Sequence, residues 1–203
     1  MSESVERRVA EALDEAERNG SCCVCGDRSL RAAMRYRAEE VVEPLPRLFF
    51  RRDAWGRLEP PERHLHLMRA LARTHPDWRF CGASAAVAYG LPVTWDLLSS
   101  VFVAAPPGTG DHSCPGIVRR HLADASAHLH DGLRLVPFWR TVFDCLSSFE
   151  TPDGLAIADA ALRASGVSAR GLVTYLDEEF RGRRGVRRAR ATAALADARA
   201  ESG

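Results

Sequence analysis

Arginine is the residue type with which this sequence could recognise a partner. All 28 of its Lys and Arg residues are Arg, and a guanidinium group can pair with phosphate oxygens or with the edge of a guanine base. Residues 1–27 carry three Arg against seven acidic residues, whereas residues 28–57 carry eight Arg against four. The second segment therefore predicts contacts to double-stranded DNA. The candidate residues are Arg28, Arg31, Arg35, Arg37, Arg47, Arg51 and Arg52.

A second basic run lies near the end of the chain. Residues 181–190, RGRRGVRRAR, contain six Arg and no acidic residue. Such a run is typical either of a further electrostatic contact to nucleic acid or of a solvent-exposed helix face, and the sequence leaves both readings open. The candidate residues of this second contact are Arg183, Arg184, Arg187 and Arg188.

The sequence contains no recognisable catalytic constellation. Gly82-Ala83-Ser84 resembles the start of a nucleophile elbow, but the G-x-S-x-G pattern fails at Ala86, so we expect Ser84 to satisfy backbone at a helix start. Gly108-Thr109-Gly110 lacks the Lys and the Ser or Thr of a phosphate-binding loop, and we expect a flexible turn there. Three acidic residues on predicted helices show no spacing typical of an acid–base pair: Asp144, Asp153 and Asp159. We therefore expect a protein that is not an enzyme and needs no cofactor.

Two cysteines have the spacing of a zinc-binding pair. Cys22 and Cys25 form a C-x-x-C, but no second Cys or His pair follows at zinc-ribbon distance. His112 and Cys114 are the other candidates, and they lie across a predicted domain boundary. We therefore expect no metal site, with a zinc ion at Cys22 and Cys25 as the alternative.

Short elements of the N-terminal segment must position the first group of arginines. Helical spacing of apolar residues predicts a helix over 3–18, and Asp27 is a good N-cap for a second helix. Val41-Val42 and residues 48–50 predict two short strands, and the prolines within 43–46 predict a turn between them. The apolar positions that the second helix turns inward are Leu30, Ala33 and Met34.

A helix that bears arginine and is followed by a hairpin predicts a winged helix-turn-helix. In this motif the second helix enters the major groove, and residues near its N-terminus reach base edges. We expect Arg51 and Arg52 to lie at the tip of the hairpin. The expected contacts are base edges for Arg28 and Arg31, the DNA backbone for Arg35 and Arg37, and phosphate or the minor groove for Arg47, Arg51 and Arg52. The alternative is a solvated basic surface over a structural core.

The remainder of the chain predicts a second, larger unit. Leu58-Glu59-Pro60-Pro61 is typical of a boundary, and the helix that follows carries His64 and His66 on different sides, so we expect these two residues to be structural or solvent-facing. The sequence then predicts short strands between 78 and 136 and helices after them. The predicted fold class is α+β, with a winged helix-turn-helix in 1–57, a small mixed α/β domain in 58–180 and an Arg-rich C-terminal helix or linker in 181–203.

Length and composition are those of a globular protein. A chain of 203 residues corresponds to one or two domains. No apolar run approaches the roughly 18 residues that a membrane span needs, and the acidic, amphipathic N-terminus is unlike a signal peptide. We therefore expect a cytoplasmic protein with no membrane contact.

Several segments of the chain resemble a known family. They are PLPRLFFRRDAWGRLEPPERHLHLMRALARTHPDWRFCGASAAVAYGLPV, RTVFDCLSSF, LAIADAALRASGVS and RGRRGVRRARATAALADARAESG. They span nearly the whole chain and are similar to actinobacterial proteins described as AbiEi-like antitoxins of type IV toxin–antitoxin systems. The resemblance implies an N-terminal winged helix-turn-helix that binds promoter DNA and represses its own operon. It also implies a C-terminal α/β domain that serves binding and antitoxicity.

The same resemblance implies a partner and an alternative. The partner is a nucleotidyltransferase-like toxin, which is countered without a stable complex. Many relatives continue past the Arg-rich helix into a Vsr-like endonuclease domain of the PD-(D/E)XK type, whereas this sequence stops at Glu201-Ser202-Gly203. The alternatives are therefore the targeting module of a truncated nuclease, or a protein-interaction domain whose degenerate winged helix touches no DNA.

Overall fold

The computed structural model of this chain describes residues 3–106, 108, 114–122 and 126–200. It has a mixed α+β architecture with two sheets, which confirms the predicted fold class. His112 and residues 109–110 of the expected turn lie outside the described residues. In the described part of the chain, no helix is both long enough and apolar enough to span a bilayer.

The N-terminal unit consists of two helices and a small antiparallel sheet with strand order β1-β3-β2. Because strand β1 separates the two helices, they are not joined by the short turn of a helix-turn-helix, and the winged helix-turn-helix stays a prediction. The elements are α1 (Glu3–Arg18), β1 (Cys23–Val24), α2 (Arg28–Tyr36), β2 (Val41–Leu45) and β3 (Leu48–Arg51).

The apolar positions that predicted α1 and α2 are the ones that the fold buries. Val9 and Leu13 of α1 are 1% and 3% exposed, and Met34 of α2 is fully buried. Asp27 caps α2 as expected, since its carboxylate accepts hydrogen bonds from the backbone N–H groups of Ser29 and Leu30 at 2.7 and 3.0 Å. These contacts fix the outer face of α2 relative to the sheet.

The hairpin differs from its prediction. The turn expected over 43–46 is wrong, because β2 continues through Pro44 to Leu45 with a register shift after Val42. In the described sheet β2 is an edge strand, and an edge strand tolerates the missing N–H of proline. The chain turns instead at Pro46-Arg47, where Arg47 has a φ of 68°.

The expectation that Arg51 and Arg52 tip the hairpin is also wrong. Arg51 is the last residue of β3, and Arg52 begins a short helix, α3 (Arg52–Arg57), which the sequence did not predict. Both arginines therefore lie at the end of the hairpin away from its turn. Their chemistry has to be judged from their partners at that end.

A second, five-stranded sheet and a group of helices follow. The strand order is β6-β5-β4-β8-β7, with β5 parallel to β6, β4 parallel to β8 and the other pairs antiparallel. The elements are α4 (Pro60–Thr74), β4 (Arg79–Phe80), α5 (Gly82–Ala88), a 3-10 helix (Trp95–Leu98), β5 (Val101–Ala105), β6 (Ile117–His121), β7 (His128–His130), β8 (Leu133–Leu135), α6 (Phe138–Ser148), α7 (Thr151–Ser165), α8 (Ala169–Glu179) and α9 (Val186–Ala194).

The apolar core runs across the predicted domain boundaries. Leu48 and Phe50 of the N-terminal unit share one buried cluster with Met68 and Phe80. The division into 1–57, 58–180 and 181–203 stays a prediction, but the first two segments bury each other's apolar residues. The third segment also contributes to the core, because Ala189 of α9 is fully buried against the other helices.

Candidate nucleic-acid interface

Helix α2 presents an outer face that is positively charged. Its inner face buries Ala33 and Met34, and helical geometry then directs the residues on the other side away from the sheet. Arg28 is exposed and Arg31 is partly exposed, so both side chains are available near the helix N-terminus. This is the part of a recognition helix from which side chains reach base edges.

The turn of the hairpin lies beside the N-terminus of α2. The carbonyl oxygen of Arg47 accepts a hydrogen bond at 3.0 Å from the backbone N–H of Cys25, which lies two residues before the N-cap. The Arg47 backbone N–H donates to Glu43 at 2.8 Å, and the Arg47 side chain is exposed. The fold therefore places Arg47 next to the helix end that carries Arg28 and Arg31.

These three arginines share a lack of ion pairs. Within the described ranges, no carboxylate oxygen lies within 4 Å of a guanidinium nitrogen of Arg28, Arg31 or Arg47. In this part of the chain none of the three has a direct ion pair, although the charge of Arg31 acts at longer range on Glu43 and helps to lower its pKa. We call this set the arginine triad of the N-terminal unit.

Arg35 and Arg51 are also predicted to contact DNA, but both form ion pairs with carboxylates of the same chain. Arg35 donates two hydrogen bonds to Glu43, at 2.7 and 2.8 Å, and this bidentate contact lowers the pKa of Glu43 and raises that of Arg35. Arg51 lies 2.5 Å from Asp14 and 2.9 Å from Glu17, so it ties β3 to α1. The charge of a guanidinium held in this way is partly neutralised by its carboxylate, which weakens its attraction to a phosphate.

Arg37 and Arg52 also have internal partners. Arg37 lies 3.4 Å from Glu6 and 3.7 Å from Glu40. Arg52 donates to the carbonyl oxygen of Ala38 from two nitrogens, at 3.0 and 2.6 Å. Of the seven residues predicted from sequence, four therefore help to hold the unit together.

Two residues on the outer face of α2 were missed by the sequence reasoning. Tyr36 is 86% exposed, and Ala32 is exposed one turn after Arg28. A helical wheel of residues 28–36 would have placed Ala32 opposite Ala33 and Met34, and Tyr36 at the side of the helix. An exposed aromatic ring and a small methyl group both suit a helix that packs into a groove lined with thymine methyl groups.

The arginines of the second basic run differ in exposure and in partners. Arg183 is partly buried, while Arg184 and Arg187 are exposed. Arg188 lies 3.6 Å from Glu150. Because α9 packs its alanines into the core, the run is the outer side of a structural helix and the loop before it, and its DNA contact stays a prediction.

Ser84 and His64 form a buried pair that resembles a catalytic dyad only in its distance. The Ser84 hydroxyl lies 2.7 Å from Nε2 of His64 and accepts a hydrogen bond from the backbone N–H of Phe102 at 2.8 Å. Nδ1 of His64 lies 3.3 Å from the carbonyl oxygen of Leu98. Ser84 is 0% and His64 is 1% exposed, so the pair is closed to a substrate. The Ser84 hydroxyl thus accepts from a backbone N–H of β5. This corrects the expectation that it would satisfy the backbone at the start of its own helix.

The three acidic residues that the sequence offered as possible acid–base groups have separate structural partners. Asp144 accepts a hydrogen bond from Arg140 at 2.9 Å, and Asp159 accepts one from the backbone N–H of Asp197 at 2.7 Å. Asp153 accepts a short hydrogen bond from the Thr94 hydroxyl. Each of the three carboxylates is thus used in a separate structural contact.

The cysteines of the C-x-x-C lie in the core. Cys22 and Cys25 are 0% and 2% exposed, and burial raises the pKa of both thiols. Cys25 donates to the carbonyl oxygen of Asp27 at 3.4 Å. The described residues contain no group of three or more His, Cys, Asp or Glu side chains arranged to hold a metal ion.

Comparison with known proteins found no matching family model, no matching curated protein and no matching solved structure.

Proposed function

We propose that this protein binds double-stranded DNA through the arginine triad and the outer face of α2. The observation that carries the proposal is that, among the described residues, Arg28, Arg31 and Arg47 have no carboxylate at ion-pair distance and lie together at the N-terminal end of α2. A helix end of this kind can enter the major groove while the adjacent turn meets a phosphate. Arg28 and Arg31 would contact base edges, and Arg47 would contact the backbone.

The biological role that we propose is that of a cytoplasmic transcriptional regulator of the antitoxin type. This role rests on the resemblance to AbiEi-like antitoxins, which are expected to repress their own operon and to counter a nucleotidyltransferase-like toxin without a stable complex. The neighbouring reading frame tests the role independently of DNA binding. A nucleotidyltransferase gene beside this one supports the antitoxin, whereas an in-frame continuation with paired acids and a Lys supports the targeting module of a nuclease.

Fluorescence anisotropy with labelled DNA from the region upstream of the gene tests the binding proposal. We expect Arg28→Ala and Arg31→Ala to remove the preference for upstream DNA over a scrambled duplex. We expect Arg47→Ala to weaken binding to both duplexes alike. Arg170→Ala, which changes an exposed arginine of α8, is the matched control and should bind as the unmodified chain does.

A protein-interaction domain is the second candidate, and one observation favours it. Arg35, Arg37 and Arg51 are paired with carboxylates inside the N-terminal unit, which reduces the charge that is available for DNA. Under this alternative the unit binds no duplex even at low salt, where electrostatic binding is strongest. Absence of binding at about 20 mM salt would therefore reject the DNA proposal.

A further inference from the structure

An imidazole pair lies on the edge strand β7, away from the arginine triad. Side chains alternate between the two faces of a strand, so His128 and His130 share one face, while Leu129 lies on the other and is 71% exposed. The ring of Tyr89, which follows α5, lies 5.9 Å from the ring of His128 and 5.0 Å from that of His130, between centroids. Both imidazoles therefore lie beside the same phenol.

The hydrogen bonds of Tyr89 determine which nitrogen of His128 carries a proton. The Tyr89 hydroxyl has one proton, and it donates that proton to the carbonyl oxygen of Val136 at 2.9 Å. Nε2 of His128 lies 2.7 Å from the same hydroxyl oxygen, so this nitrogen must be the donor of their hydrogen bond. The lone pair of the neutral imidazole is then on Nδ1.

The Tyr89 hydroxyl is held in place by its own hydrogen bond to the carbonyl oxygen of Val136, so it acts as a fixed hydrogen-bond acceptor for His128. Histidines that bind metals commonly direct their second ring nitrogen to a fixed oxygen acceptor, which orients the ring. His128 already has this arrangement.

We propose that His128 and His130 chelate a divalent transition-metal ion of the Zn²⁺, Ni²⁺ and Cu²⁺ class. Nδ1 of His128 is one ligand, an imidazole nitrogen of His130 is the second, and Tyr89 orients His128. Neutral imidazole is a preferred ligand of these ions. Two protein ligands leave coordination positions for water or for a group from another molecule, which is typical of a site that is open to solvent.

Titration of the full chain with Cu²⁺ at pH 7.5 tests the chelate. We expect one ion per chain, with the electron paramagnetic resonance signature of two imidazole nitrogens. His128→Gln and His130→Gln should each remove the two-nitrogen signature and weaken binding. His121→Gln, on the edge strand β6, is the matched control and should bind as the unmodified chain does. Tyr89→Phe should weaken binding about 10- to 100-fold while retaining both nitrogens.

Nitrogen-15 NMR of the metal-free protein provides an independent measurement that needs no variant. The proposal requires His128 to be the tautomer with its proton on Nε2. It is overturned if that proton is on Nδ1, or if the double variant His128→Gln, His130→Gln binds Cu²⁺ as tightly as the unmodified chain. Circular dichroism of each variant identifies any loss of binding that comes from unfolding, and the tautomer measurement decides the proposal if Tyr89→Phe does not fold.

Discussion

Buried His64 should make the stability of this protein depend on pH in a defined window. Burial lowers the pKa of His64 to about 4 from the ordinary value of 6.5. Between these two pH values His64 is neutral in the folded protein but protonated in the unfolded chain. The stabilisation is therefore complete above pH 6.5 and is lost as the pH falls toward 4. A difference of about 2.5 pKa units corresponds to about 3 kcal/mol in the free energy of unfolding.

Part of this loss falls in a range where the protein can be studied easily. For one group with these two pKa values, the free energy of unfolding falls by about 2 kcal/mol between pH 7.5 and pH 5. Since His64 is 1% exposed, solvent screening should not reduce the effect much. Replacement by Gln keeps a hydrogen-bonding side chain next to Ser84 but removes the titration.

Urea denaturation at several pH values measures the difference. We expect His64→Gln to be less stable than the unmodified chain at pH 7.5 by about 1–3 kcal/mol, because its packing and hydrogen bonds are poorer. We expect the gap between the two proteins to narrow by about 2 kcal/mol at pH 5. The reasoning is refuted if the gap does not change between these pH values.

Two further substitutions have defined outcomes. Gly185→Ala should lower the free energy of unfolding by about 1–3 kcal/mol, since Gly185 has a φ of 86° and an added Cβ would lie 2.6 Å from the Cβ of Ser147. Gly182→Ala is the control, because its φ is similar but its Cβ would meet nothing within 4 Å in the described part of the chain; equal losses in urea denaturation would contradict the packing argument. Glu43→Gln should release Arg35 and raise DNA affinity in anisotropy titrations, and unchanged affinity would show that Arg35 does not face the DNA.

Local patterns were sufficient to predict most elements of this fold. The helical spacing of Val9 and Leu13 predicted α1 within its observed bounds, and the side chain of Asp27 predicted the start of α2. These signals lie within a few residues of the structure that they specify. The prolines within 43–46 predict a turn because they exclude a helix, but strand order places β2 at an edge of the described sheet, where a proline is tolerated.

The candidate interface could be predicted only in part. Arginine content identified the segment, but the choice among its arginines depends on contacts that are distant in sequence. Arg51 pairs with Asp14, which is 37 residues away, and no local pattern indicates that pairing. The sequence places Arg28 on the predicted helix and Arg47 on the predicted hairpin without indicating that they are close, and the fold brings their backbone segments together through the Cys25 hydrogen bond.

We propose that three arginines, and not seven, provide the DNA contacts of the N-terminal unit. The most direct measurement is the slope of log Kd against log salt concentration for duplex DNA. Each phosphate contact by a cationic side chain contributes about 0.9 to the magnitude of this slope. Arg47 is the backbone contact of the triad, so the triad gives a slope of about 1, whereas backbone contacts by Arg35, Arg37, Arg51 and Arg52 as well would give about 4 to 5. We predict a slope near 1 that is nearly abolished in the triple variant Arg28→Ala, Arg31→Ala, Arg47→Ala. A slope near 4 to 5, or one that the triple variant leaves unchanged, would contradict this binding mode.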